Sequence, residues 1–345
     1  MDIFVELLQA GWNGLLEYLS AHVITCLVPA LFIAGAIATF VSQAAVLKYF
    51  GAKAKRVVSY SIASVSGAIL AVCSCTVLPL FAGIFKRGAG LGPAIAFLFS
   101  GPAINVLAIV YSAKLLGWDI GIARIIGAII FSVVIGLIMA FIYRKEKSKS
   151  DVDVFANLEK DPYTKSIWQQ VAFIGTLIGI LVFAASQNWI VMGIFFVILA
   201  IILRRWFKKG EIVQWLKETL HFTRLIIPWL LVGVFIAGIL TYMIPQEWVV
   251  DYVGGNTLFG NFIASIFGAV MYFATLTEVP IIRAFMDLGM GKGPALALLL
   301  AGPSLSLPSM ITLSRIMGIK KTLTYICLVV IMSTITGMIF GFISE

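Results

Sequence analysis

Apolar residues run along this chain in blocks long enough to cross a bilayer, separated by short polar or charged stretches. The blocks lie near residues 22–46, 57–85, 91–115, 121–143, 166–186, 188–204, 222–244, 257–286, 293–315 and 320–343. Roughly 20 apolar residues suffice for a helix to span the hydrocarbon core, so the pattern predicts an all-α polytopic membrane protein. The first 20 residues differ. Phe4, Leu7, Leu8, Trp12 and Leu15 recur at helical spacing, with Asp2, Glu6 and Glu17 between them. This predicts an amphipathic interfacial helix over 1–21. With acidic residues and no Lys or Arg, that segment lacks the basic start of a cleavable signal.

The polar and small positions carry a second pattern, a duplication. Residues 62–142 align without a gap onto 263–343 at a constant offset of 201, and 24 of the 81 pairs are identical, clustered at Gly and Pro. Gly92-Pro93-Ala94 falls on Gly293-Pro294-Ala295 and Gly101-Pro102 on Gly302-Pro303. Phe32-Ile33-Ala34-Gly35 falls on Phe235-Ile236-Ala237-Gly238 at an offset of 203. The chain therefore divides into the 1–21 helix, a first repeat over 22–143, a linking section over 144–221 and a second repeat over 222–345. The linking section holds a charged loop from Arg144 to Lys165, two plain helices and a basic connector from Arg204 to Lys217. Duplicated backbone breakers in so apolar a chain are the mark of transporters built from two halves.

Composition removes several function classes. Hydrophobic residues make up 61% and charged residues 12% of the chain, with a mean hydropathy of +1.05. That is more apolar surface than one soluble core of this length can hide. The net charge of +9 comes from basic residues flanking apolar runs, which is orientation in a bilayer rather than nucleic-acid binding. Cys26, Cys73, Cys75 and Cys327 all lie inside apolar segments, so no secreted-type disulfide framework is implied. P-loop, Rossmann and HExxH patterns are missing, and neither an enzyme activity nor a cofactor is expected. The expected partners are the lipid bilayer and a small-molecule or metalloid solute; a homo-oligomer is compatible with the sequence.

Lys and Arg set the topology. If every apolar run crosses, ten spans with parallel repeats divide the basic residues 16 to 9. If 91–115 and 293–315 instead dip in and return as re-entrant hairpins, about eight spans remain, the repeats become inverted, and the division is 21 to 4. The positive-inside rule favours inversion. Matched connectors agree: Lys48, Lys53, Lys55 and Arg56 in the first repeat face Glu247 and Asp251 in the second. Likewise Asp119, between Lys114 and Arg124, is answered by Arg315, Lys320 and Lys321. Both termini are expected outside the cytoplasm and the 144–165 loop inside.

Two pairs of duplicated breaks mark the candidate site. The first pair is Cys73-Ser74-Cys75-Thr76 before Pro79, and Ala274-Thr275-Leu276-Thr277-Glu278 before Pro280. The second is Ser100-Gly101-Pro102-Ala103-Ile104-Asn105 and Ala301-Gly302-Pro303-Ser304-Leu305-Ser306. Broken helices free backbone groups that lipid cannot satisfy, so they belong beside protein or a wet cavity. Each Gly-Pro is expected to start a half-helix whose positive end faces the midplane and favours anions or polar oxygens. Asn105, Ser304 and Ser306 then cap the helix or contact substrate. Glycines that only allow close packing are the plainer reading.

The copies differ in their chemistry. The first carries two thiols, Cys73 and Cys75, which on a broken segment can converge on a thiophilic centre such as Cu(I) or trivalent arsenic. No metal is assigned, and a lone buried Cys is ordinarily a small hydrophobe. The second carries Glu278 opposite Val77. A carboxyl in hydrocarbon needs a cavity or a partner, and proton coupling is the functional reading. A hydrogen bond to Thr277, Tyr272 or Arg283 is the structural one. Arg283 and Asp287, one helical turn apart, read as a local ion pair. His22 and His221 sit at span ends, where an interfacial role is the default.

The run Cys73-Ser74-Cys75-Thr76-Val77-Leu78-Pro79-Leu80, then Gly92-Pro93-Ala94 and Ser100-Gly101-Pro102-Ala103-Ile104-Asn105, resembles the predicted-permease family that includes the ArsP-type methylarsenite efflux permeases. The resemblance covers all but the first 20 residues and the 144–165 loop. It implies an inner-membrane permease of about eight spans and, in the characterised branch, export of trivalent organoarsenicals. Carried to this chain, the motif residues are Cys73, Cys75, Pro79, Gly101, Pro102 and Asn105. The leading expectation is a secondary transporter working by alternating access. A gated pore and a membrane thiol-redox protein using Cys73 and Cys75 are the alternatives.

Overall fold

A computed structural model describes residues 2–20, 27–40, 55–70, 74–86, 88–104, 106–144, 166–186, 188–243, 252–271 and 278–344. Among them the chain is helical. The first half contains α1 (Asp2–Tyr18), α2 (Val28–Phe40), α3 (Arg56–Leu70), α4 (Ser74–Lys86), α5 (Leu91–Ala103), α6 (Val106–Leu115) and α7 (Trp118–Ile142). Then come α8 (Ile167–Ala185), α9 (Trp189–Trp206) and the long α10 (Lys209–Met243). The second half follows with α11 (Leu258–Val270), α12 (Glu278–Asp287), α13 (Lys292–Ser304), α14 (Leu307–Met317) and α15 (Ile319–Ser344).

Local chemistry explains several boundaries. Gly88 and Gly117 have φ of 88° and 118°, and their repeat equivalents Gly289 and Gly318 have 113° and 88°. Only glycine takes such dihedrals without steric cost, so the turns before α5, α7, α13 and α15 are written into both copies. Thr257 caps α11 by accepting the Gly260 N–H at 3.0 Å, satisfying one of the free donors of the first turn.

By length and composition, α7, α9, residues 209–236 of α10 and α15 can each cross a membrane. The pairs α5 with α6 and α13 with α14 reach that length jointly, each bent by 47° at its break. Among the described residues four to six crossings follow from length and composition, against about eight expected from the apolar runs. The breaks account for part of the difference: they cut 57–85 into helices of 15 and 13 residues, and 257–286 into helices of 13 and 10; within 22–46 and 166–186 the described apolar helices, Val28–Phe40 and Trp168–Ala184, are also short of a full span.

The fold-back does not fall where the sequence put it. A 47° bend at each break carries the chain onward through 91–115 and 293–315, where a re-entrant hairpin needs a near reversal. A Gly-Pro pair kinks a helix without reversing it. The reversal comes one break earlier. The Gly291 N–H donates to the Val253 carbonyl at 3.2 Å, and Gly254 bridges to Met290. The start of α11 and the end of α12 therefore lie side by side. In the first half Tyr60, on the first turns of α3, meets Gly92 at the start of α5, so α4 has likewise returned the chain to the end where α3 began.

Packing partners recur between the halves. α5 packs on α3 and α7, and α13 on α11 and α15; α6 lies on α7 as α14 lies on α15. The closest approaches are duplicated too: a Cβ on Gly136 would stand 2.6 Å from the Gly92 carbonyl, and one on Gly337 would stand 2.6 Å from the Gly293 carbonyl. The flanking side chain is Tyr60 in one copy and Asn261, its equivalent, in the other. Between halves, α5 touches α13, α7 touches α15, and α4 meets α14 as α12 meets α6. α10 serves both halves. Its first turns hold α2, with the Trp215 indole N–H donating to the Phe32 carbonyl at 2.9 Å, and its last turns hold α1, where Tyr242 donates to Glu6 at 3.0 Å.

Candidate functional site

The second pair of breaks lies where the halves meet. Ser304, the last residue of α13, donates through its hydroxyl to the Phe99 carbonyl of α5 at 3.3 Å. Each broken helix has its final carbonyl held from the long helix that follows. Arg124 on α7 donates its Nε–H to the Ala103 carbonyl at 2.9 Å. Tyr325 on α15 donates its hydroxyl to the Ser304 carbonyl at 3.2 Å. Arg124 and Tyr325 are equivalent in the repeat, and so are Ala103 and Ser304. One device is built twice, with a cation in one copy and a phenol in the other.

This geometry corrects the expected role of the Gly-Pro pairs. Gly101-Pro102 and Gly302-Pro303 lie in the last turns of α5 and α13, not the first turns of the following helices. The helix ends they bring to the junction are carbonyl ends, which carry partial negative charge and favour a cation. Arg124 is that cation in the first half. Ser306 proves to be the N-cap of α14, accepting the Ser309 N–H at 3.4 Å and pairing with the Ser309 hydroxyl at 2.7 Å. Pro79 sits inside α4 and Pro280 in the first turn of α12, each downstream of the break itself.

Glu278 opens α12, 1% exposed, with its carboxylate 3.7 Å from NH2 of Arg124, which is 0% exposed. This carboxyl does not pair with Arg283, which bonds Asp287 at 2.7 Å instead, as spacing predicted. Arg124 spends two donors on protein: Nε on Ala103, and NH1 on the Ser112 hydroxyl at 2.9 Å. Among the described residues its NH2 and both Glu278 oxygens have no hydrogen-bond partner. A Cβ on Gly302 would lie 2.8 Å from Glu278 Oε1, so the conformational break and the buried acid occupy one spot. Val77, the first-copy equivalent of Glu278, is also buried; charge entered this position in one copy alone.

Sequence reading found Glu278 but missed Arg124, which was assigned to a connector by its nearness to Lys114 and Asp119. The signal was its place three residues inside the apolar run 121–143, where an ionisable group is functional by default. Of the other expected site residues, Thr76 is buried in α4. Cys75 lies on α4 with its side chain outside the description, and Cys73, Asn105 and Thr277 lie outside the described residues. Cys327 is exposed on α15, facing away from the junction. Among the described residues no group of three His, Cys, Asp or Glu could hold a metal ion.

The ends of the bundle carry ordinary surface pairs. Lys292 bonds Asp119 at 2.7 Å and Arg283 donates to the Leu115 carbonyl at 3.4 Å, so the turns before α7 and α13 share one end. Lys86 bonds Glu218, while Tyr143 pairs with Thr324 at 2.9 Å. These exposed contacts fix neighbours more than they stabilise.

Known proteins place this geometry in a family. The predicted-permease profile matches residues 9–342. The chain is 46% identical to UPF0718 protein MJ0584 of Methanocaldococcus jannaschii, over 99% of this chain and 98% of that protein. It is 23% identical to UPF0718 protein YraQ of Escherichia coli, over 78% of this chain and 63% of that one. No solved structure matches. Several apolar helices of spanning length, two bent pairs meeting at a buried charge pair, and a profile match along almost the whole chain lead to one conclusion: this chain belongs to the predicted-permease family.

Proposed function

We propose that the chain is a secondary transporter of the cytoplasmic membrane that moves a small solute by alternating access, its two halves rocking about the junction of α5, α13, α7 and α12. The observation that carries this reading is the buried Arg124–Glu278 pair. It joins the first repeat to the second at the bent helix pairs, and three of its polar atoms lack hydrogen bonds. Buried charges so incompletely satisfied are costly and are kept in membranes where solutes or protons move. Equivalent helices touching each other, with reciprocal α4–α14 and α12–α6 contacts, support two copies related by a two-fold axis.

Inversion survives the relocated fold-back. A fold-back within α3–α4 and α11–α12 still leaves an odd number of crossings per repeat. It moves Lys86 and Arg87 to the cytoplasmic side and Arg283 and Lys292 to the other, so the division of basic residues stays 21 to 4. Both termini then lie outside the cytoplasm.

Organoarsenical efflux, implied by the family resemblance, rests on Cys73 and Cys75. Purified protein in proteoliposomes is expected to give saturable, proton-sensitive flux of methylarsenite. Ohmic single-channel currents would replace the transporter with a pore, and thiol–disulfide turnover without solute movement would make it a redox protein. Unchanged methylarsenite resistance in both Cys73→Ser and Cys75→Ser would remove sulfur ligation while leaving the transporter reading in place.

A further inference from the structure

We infer that the Arg124–Glu278 junction is a proton-coupled binding site for a small monovalent oxyanion, which takes Glu278's place on the guanidinium when Glu278 takes a proton. The inference rests on the transporter reading and names the chemical class of the ion that its junction binds in coupling.

The donor geometry argues for an oxyanion. A guanidinium presents five N–H donors in a planar fork and stays charged in proteins. Here Nε and NH1 are anchored on the Ala103 carbonyl and the Ser112 hydroxyl at 2.9 Å each, which fixes the plane of the fork. NH2 is fully buried and has no acceptor. The counter-charge is present but is not hydrogen-bonded: Glu278 stands 3.7 Å away, and neither of its oxygens has a donor. An oxygen of an oxyanion meets the free NH2 edge at hydrogen-bond distance, as charge-assisted pairs of this kind do. A protonated Glu278 then donates its O–H to the same guest.

Charge balance fixes the stoichiometry. At rest the junction holds one positive and one negative group. Adding one anion and one proton gives a guanidinium with its bound anion and a neutral carboxylic acid, so the net charge is zero in both states. A dianion, or an anion without its proton, leaves a net charge in a site with no exposed surface, which is expensive. The pair spans α7 of one repeat and α12 of the other, so exchanging the internal anion for the external one also unties the halves.

Among the described residues little else near the pair can titrate or carry charge. α5 and α11 have no ionisable side chain. α6 contributes Lys114 and Tyr111, both exposed at their positions, and α13 contributes Lys292, which is held by Asp119. On α12 itself Arg283 and Asp287 are paired with each other. α15 contributes Tyr325, engaged on Ser304, with Lys320, Lys321 and Cys327 exposed or partly exposed elsewhere on it. α14 adds Arg315, stacked over Trp229 at 3.7 Å.

The test uses the full chain in detergent, with nitrate and methanesulfonate as probes because neither is protonated between pH 5.5 and pH 8. The readout is the anion-dependent shift of the thermal unfolding midpoint. The charge-neutral double variant Arg124→Gln/Glu278→Gln supplies the baseline for non-specific salt effects. Wild type is expected to be protected more at pH 5.5 than at pH 8. Glu278→Gln should bind the anions about tenfold more tightly with no pH dependence, and Arg124→Gln should respond like the baseline. Wild-type-like protection in Arg124→Gln, or no tightening in Glu278→Gln, overturns the site. If the protein moves methylarsenite saturably in proteoliposomes while neither probe protects wild type or Glu278→Gln, the transporter reading stands and the anion site is overturned. Protection in the expected pattern without any saturable flux supports the site and overturns the transporter.

Discussion

Two side chains from different halves of the chain set the chemistry of the junction. Glu278 was legible because a carboxyl inside an apolar run needs a cavity or a partner. Its partner was not, because no spacing rule links positions so far apart, and only the packing of α12 on α6 and α13 brings Glu278 to Arg124. The pair makes a stability prediction with a definite asymmetry. Arg124→Ala leaves a buried carboxylate without counter-charge and should cost about 3–5 kcal/mol, whereas Arg124→Met with Glu278→Leu should be close to neutral. Chemical denaturation in micelles measures both, and equal losses would mean that the pair is not coupled. Gly302 is a third residue tied to this spot. An added methyl 2.8 Å from Glu278 Oε1 must displace the carboxylate, so Gly302→Ala should lose at least about tenfold in transport, a barrier change of roughly 1.4 kcal/mol, with expression retained.

Among the elements, the duplicated glycines are the clearest instance of sequence speaking for structure. Gly88, Gly117, Gly289 and Gly318 stand where left-handed backbone is needed. Gly136 and Gly337 stand where two helices touch through their backbones. A methyl at either contact collides with a carbonyl that cannot move away without shifting its helix, so Gly136→Ala and Gly337→Ala should each destabilise by about 1–3 kcal/mol. Similar losses in the two variants would reflect the repeated packing; a neutral result at one would show that the copies differ there. Less legible was the direction taken at each break. Gly-Pro reads equally well as the end of one helix or the start of the next. The hydrogen bonds from Arg124 and Tyr325 to the last carbonyls of α5 and α13 make it an end.

At the scale of the whole molecule, the relocated fold-back makes a topological prediction that separates it from the sequence expectation. Leu288, 64% exposed in the turn between α12 and α13, lies on the cytoplasmic side if the chain folds back at 293–315 and on the opposite side if it folds back within α11–α12. A cysteine at Leu288 should therefore react with a membrane-impermeant maleimide in intact cells, while one at Ser148 should react only after lysis. Labelling of Leu288→Cys only after lysis would reject the α11–α12 fold-back, and labelling of Ser148→Cys in intact cells would reject the orientation. The contacts across the bundle ends agree with the relocated version, since Asp119 and Lys292 meet at one end, and Lys86 and Glu218 meet at another.

By itself, the amino-acid sequence determined the helical membrane class, the duplication, the places where helices break and the presence of a charged group among them. These follow from local chemistry: apolar run length, the dihedral freedom of glycine, the missing N–H of proline and the cost of a carboxylate in hydrocarbon. Tertiary structure alone decided which break reverses the chain, which helix end faces the junction and which cation answers Glu278. Each depends on contacts between segments remote in sequence, and there the same residues permit more than one local geometry until packing selects among them.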